Sequence, residues 1–156
     1  MAQKLLNFLI VEDDDDHAEL LISTIEDLGI AESVERLDNG EDAVNYLTGN
    51  RPSSGLLKPD IVLMDLKLPK LSGIEVLKAV RCDNNLAAIP IIMLSTSPSQ
   101  RDIRDAYLHH ANAYLVKPME FDDLSTMVTD LVNFWSKWNT TPKLLDDRSP
   151  KGGTDG

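Results

Sequence analysis

At 156 residues the chain can bury the core of one domain and falls short of two of ordinary size. Its 26 acidic and 15 basic side chains give a formal charge of -11, which repels nucleic-acid phosphates and anionic membranes and favours partners that are basic or bring a cation. A single cysteine, Cys82, excludes an internal disulfide and fits a reducing cytoplasm, and no stretch approaches the roughly 20 apolar residues of a membrane span.

The first apolar run, Leu5 to Val11, has strand length and ends in five consecutive carboxylates, Glu12 to Asp16. Ala18, Leu21, Ile22, Ile25 and Leu28 then recur at helical spacing, and Gly29 supplies the stop. Ser33 to Leu37 alternates like a strand near a sheet edge, and Glu41 to Leu47 reads as the second helix. The connection from Thr48 to Pro59 is longer than most loops in compact domains. Beyond it, strands at Ile61–Met64, Ile91–Leu94 and Ala113–Val116 alternate with helices at Gly73–Val80 and Arg101–Leu108; Cys82 reads as a small packed helix residue. The last helix carries Phe121, Leu124, Val128, Leu131, Trp135 and Trp138 in steps of three and four. Continuous hydrophobicity in four of the strands implies cover on both faces. Five strands alternating with five helices predict an α/β, doubly wound parallel sheet over residues 5–138. The tail over 139–156, with Pro142, Pro150 and three glycines, is expected to be disordered.

Ligands of an open parallel sheet bind outside the carboxyl ends of its strands. Glu12 and Asp13 follow the first strand, Asp65 ends the third, Ser95 and Thr96 the fourth, and Lys117 the fifth. Three carboxylates at one edge hold their charges only if a cation is shared among them, and an all-oxygen set suits Mg²⁺. Lys117 and Ser95 would then serve a second anion, such as a phosphoryl group carried by Asp65.

The motifs "VED" at Val11–Asp13, "MDLKLPKLSG" at Met64–Gly73, "LST" at Leu94–Thr96 and "YLVKP" at Tyr114–Pro118 together resemble the receiver domain of two-component response regulators. The resemblance implies a flavodoxin-like sheet of order 2-1-3-4-5 and an Asp65 that accepts a phosphoryl group from the phosphohistidine of a sensor histidine kinase. It implies that Asp13 binds Mg²⁺ directly, Glu12 largely through water, and the Lys67 backbone carbonyl completes the set. Ser95 and Tyr114 stand where the family has its switch pair, and Lys117 where it has the phosphate-pairing lysine. It further implies a cis Lys117–Pro118 bond and attack-path side chains Lys67 and Ser97. Lys67 is a departure from the family toward positive charge, and is expected to pair with Glu12. More narrowly, Phe134 and Trp135 and the long loop before Asp60 are similar to the small regulators paired with cyanobacterial phytochromes. That points to a phytochrome kinase as partner.

Two rival readings remain. Asp13 and Asp15 match the Asp-x-Asp of aspartyl-nucleophile phosphatases resembling the haloacid dehalogenase group, although Asp65 and the lack of a cap domain do not fit. A receiver fold could also signal by oligomerisation without phosphate. Asp14, Asp15 and Asp16 are expected to cap the first helix. His17 reads as solvated, and His109 and His110 point to different helix faces, so none is assigned chemistry. Phe134, Trp135 and Trp138 lie where little sheet remains to cover them, which predicts a homodimer through the fourth helix, fifth strand and fifth helix, with core packing as the rival.

Overall fold

Apolar runs of strand length become buried strands when amphipathic helices cover both faces of the sheet. The computed structural model describes residues 5–49 and 58–142. The expectations for the loop over 50–57 and the tail over 143–156 fall outside the described residues. In chain order the elements are β1 (Leu6–Val11), α1 (Asp15–Asp27), β2 (Ala31–Leu37), α2 (Gly40–Leu47), β3 (Ile61–Asp65), α3 (Gly73–Arg81), β4 (Ile91–Ser95), α4 (Gln100–Leu108), β5 (Ala113–Val116) and α5 (Phe121–Asn133). All strand pairs are parallel, in the order β2-β1-β3-β4-β5.

Side chains alternate across each strand and so divide the core in two. Leu9, Val11, Val62, Met64, Ile91 and Met93 face α2 and α3. Phe8, Ile10, Ile61, Leu63, Ile92 and Leu94 meet Leu21 and Ile25 of α1 and Leu124, Val128 and Val132 of α5. Helix starts follow their capping residues: Asp14, Asn39, Ser72 and Ser99 each accept a backbone N–H of the first turn. Gly29 takes φ +68°, the left-handed conformation that ends α1. Among the described residues no helix is long and apolar enough to cross a membrane.

Three local expectations need correction. Lying at the sheet edge, β5 is only half-buried, with Val116 exposed, because among the described residues no further strand lies beyond it. Cys82 is exposed: the last core position of α3 is Val80, and two residues further round a helix lies ~200° away, toward solvent. The α-helical pattern of α5 stops at Asn133 and continues as a π-helical turn over Phe134–Trp138, closed by Asn139 N–H donating to the Phe134 carbonyl at 2.8 Å. A wider turn advances each residue by a smaller angle, so the stripe loses register. Trp135 still packs on the core, whereas Phe134 is exposed and Trp138 is 78% exposed.

Candidate functional site

Register decides which strand ends meet. Val11 pairs with Met64, so Glu12 and Asp13 leave β1 beside Asp65, the last residue of β3. One oxygen from each of the Glu12, Asp13 and Asp65 carboxylates can be chosen so that all three lie within 4.8 Å of one another. On the other side, Lys117 N–H donates to the Ser95 carbonyl at 2.7 Å, which sets the lysine next to the end of β4. The Lys117 side chain, 2% exposed, donates from Nζ to Glu12 Oε1 and, at 3.2 Å, to Asp65 Oδ2. The four predicted strand-end positions therefore converge.

The Lys117–Pro118 peptide is trans, not the expected cis; trans is the lower-energy isomer even before proline. Lys67 does not pair with Glu12 either. Its side chain is exposed, Glu12 is paired with Lys117 instead, and the Lys67 backbone N–H points at Asp65 Oδ1 at 3.4 Å.

Two residues unassigned in the sequence complete the surroundings. Arg36 of β2 donates from Nε and Nη2 to the Glu12 carbonyl at 3.1 and 2.9 Å and pairs with Asp15 at 2.9 Å, fixing the backbone that carries Glu12 and Asp13. His17 is only partly solvated. Its side chain is 25% exposed, and Nδ1 lies 3.3 Å from Lys117 Nζ. The sequence held a signal for it: His17 precedes Leu21 by four residues and Thr24 by seven, on the buried face of α1.

Burial pushes the Glu12 carboxyl up to about 7, and the Asp65 charge adds to the rise, against the lowering effect of the Lys117 hydrogen bond. Folded Glu12 thus holds a proton between its unfolded value near 4.5 and about 7, where the unfolded chain has lost it. Stability of the metal-free protein from this group falls as pH rises through that window. A cation needs the ionised form. Mg²⁺ affinity is expected to drop by roughly tenfold per pH unit below 7, measured by calorimetric titration; a flat profile from pH 5.5 to 8 would contradict it.

The second half of the site is a hydrogen-bonded loop after β4. Buried Ser95 accepts Ser97 N–H on Oγ at 3.1 Å. Ser97 Oγ donates to Asp102 of α4 at 2.6 Å, and its carbonyl accepts the Tyr114 hydroxyl at 2.8 Å. The Tyr114 ring is half-buried against the core. Ser97, expected only to flank the attack path, is thus the joint between Ser95, Tyr114 and α4.

The donor set fits a hard divalent cation: carboxylate oxygens from three residues, no sulfur, and an exposed Asp13 open to solvent. Such a rim, on a parallel sheet of this order, defines a phosphoacceptor receiver. The chain belongs to the response regulator receiver domain family, whose profile matches residues 8–129. It is 41% identical over 134 residues to the probable methanogenesis regulatory protein FilR2 of Methanothrix harundinacea, covering 86% of each chain. It is 31% identical to the response regulator Rcp1 of Synechocystis, over 86% of this chain and 91% of Rcp1. The crystal structure of the phosphorylated cyanobacterial phytochrome response regulator RcpA superposes with a TM-score of 0.85 at 30% identity, over 89% of this chain and 99% of that one. The protein is accordingly a response regulator receiver of the phosphorelay type, similar to phytochrome-associated regulators, and receivers of this family are signalling phosphoacceptors.

Proposed function

We propose that Asp65 is the phosphoacceptor and that the protein passes its signal through a changed surface. The observation that carries this reading is the meeting of Glu12, Asp13 and Asp65 with the buried Lys117 ammonium. In the transfer, an Asp65 carboxylate oxygen forms the new P–O bond as the P–N bond to the kinase histidine breaks, and the imidazole takes up a proton. Asp13, Glu12, Asp65 and the Lys67 carbonyl would hold Mg²⁺, which when bound supplies charge neutralisation to the phosphoryl oxygens. Lys117 adds the second positive charge, and Ser95 Oγ turns its proton toward the new group. As Oγ moves toward that group it draws away from the Ser97 N–H it accepts. Because Ser97 also holds Asp102 and Tyr114, the pull reaches α4 and β5.

Residues 5–138 form the functional unit in this reading, working in the cytoplasm. A homodimer through α4, β5 and α5 is supported by the exposed Tyr107 and Leu108 of α4, Val116 of β5 and Phe121 of α5, with Phe134 and Trp138 exposed beyond the end of α5. The half-buried Trp135 contributes more to the core than to a partner. For the kinase, likeness to the phytochrome regulators supports a phytochrome-type partner. The higher identity to FilR2 supports an input other than light.

Incubation with acetyl phosphate and Mg²⁺, followed by intact mass and peptide mapping, is expected to show one phosphoryl group on Asp65 and none in Asp65→Asn. Equal labelling of the variant would remove the assignment. Light scattering on the labelled sample reads the dimer, and phosphotransfer rates from purified phytochrome-type and other kinases identify the input.

A further inference from the structure

An ammonium carries three N–H donors and accepts nothing. Around Lys117 Nζ stand three acceptors: Glu12 Oε1, Asp65 Oδ2 at 3.2 Å and His17 Nδ1 at 3.3 Å. With the lysine side chain 2% exposed, little water reaches it, so the third donor depends on the imidazole. We propose that His17 is a positioning residue that accepts the third Lys117 N–H through Nδ1 and so fixes the direction of the ammonium between the two carboxylates. The opposite arrangement, Nδ1–H donating to Glu12 Oε1, spans 3.8 Å and is too long for a hydrogen bond.

Nδ1 must then keep its lone pair, with the ring proton on Nε2. The residue is anchored twice, once through its backbone and once through its ring. Asp14 accepts the His17 backbone N–H at 3.0 Å, which sets the first turn of α1, and Phe121 at the start of α5 meets the imidazole edge to face at 5.9 Å. His17 thus joins the beginnings of α1 and α5 to the lysine that follows β5. Its kinetic consequence rests on the proposed role of Asp65; its tautomer does not.

Nitrogen-15 NMR of the full chain at neutral pH, without Mg²⁺, tests the tautomer directly. The expected result is a bare Nδ1 and protonated Nε2 at His17, with a slowly exchanging Lys117 ammonium signal. In Lys117→Met the preference should relax. A protonated Nδ1 in the unaltered protein would overturn the inference. Two variants then separate hydrogen bonding from packing. His17→Phe keeps a ring against Phe121 but has no acceptor, whereas His17→Asn places an amide oxygen near the position of Nδ1. His17→Phe is expected to lose the Lys117 signal, to label Asp65 of order tenfold more slowly in protein that is still folded, and to melt at a lower temperature because a buried donor is left unpaired, with His17→Asn recovering all three. Equal labelling rates in the two variants would rule out a positioning role. No labelling even in the unaltered chain would instead overturn the phosphoacceptor reading and leave the tautomer result standing.

Discussion

Replacing Lys117 by methionine is expected to slow phosphoryl incorporation at Asp65 by about a hundredfold or more at saturating Mg²⁺. The methionine keeps the unbranched stem in its buried slot, so the lost quantity is the charge and its donors. Without them Glu12 and Asp65 face each other across a site where Glu12 is already hard to ionise. Glu12 responds by holding its proton to still higher pH. Asp13 and Asp65 remain to bind the cation, but nothing else in the described rim offsets a dianion on Asp65. Acetyl phosphate labelling followed by mass against time gives the rate, and calorimetry gives the Mg²⁺ affinity. Stability should fall more at pH 8 than at pH 6, because only at the lower pH can Glu12 escape its charge by protonation. A variant that labels at the unaltered rate would show that the ammonium is an ordinary structural ion pair.

Much of this arrangement can be read from residue types and their order. Strand ends recur after apolar runs, and a parallel sheet sends those ends to one edge, so Asp13, Asp65, Ser95 and Lys117 fall together from topology alone. What escapes is whatever depends on three-dimensional neighbours without periodic spacing. Arg36 looks like any polar residue of an edge strand, yet its fork reaches across to the Glu12 carbonyl. Lys67 and Lys117 are both plausible partners for Glu12 by charge, and only depth distinguishes them: one is exposed and the other buried. The π-helical turn is equally hidden, because the steps from Leu131 to Trp135 to Trp138 fit an ordinary helix and nothing in Phe134–Trp138 announces a wider one. His17 lay within reach, since its spacing from Leu21 and Thr24 places it on the inner face, but an isolated histidine beside four aspartates is more simply read as solvated.

The largest effect on the fold is expected from Gly40→Ala. Gly40 opens α2, and its N–H donates to the Pro69 carbonyl at 3.1 Å, pinning the helix start against the loop that follows β3. A Cβ placed there would stand 2.0 Å from the Leu71 carbonyl oxygen and 2.7 Å from its carbon. Both sides of that contact are backbone, so no rotamer change relieves it. Either α2 withdraws, exposing part of the core under Ala43 and Leu47, or the loop from Leu66 to Ser72 moves. Overpacking of this kind costs ~3 kcal/mol or more, read as a lower urea midpoint with an unchanged slope. Gly73 meets the same limit nearer the chemistry, with a Cβ falling 2.5 Å from the Asp65 carbonyl oxygen. The two glycines should therefore separate: Gly40→Ala lowers stability first and labelling only as the fold is lost, whereas Gly73→Ala displaces Asp65 and lowers labelling in protein that is still folded. Urea midpoints and labelling rates measured on both variants at a temperature well below unfolding decide it. If Gly40→Ala keeps the unaltered midpoint, the close approach of α2 to Leu71 is not a feature of the folded chain.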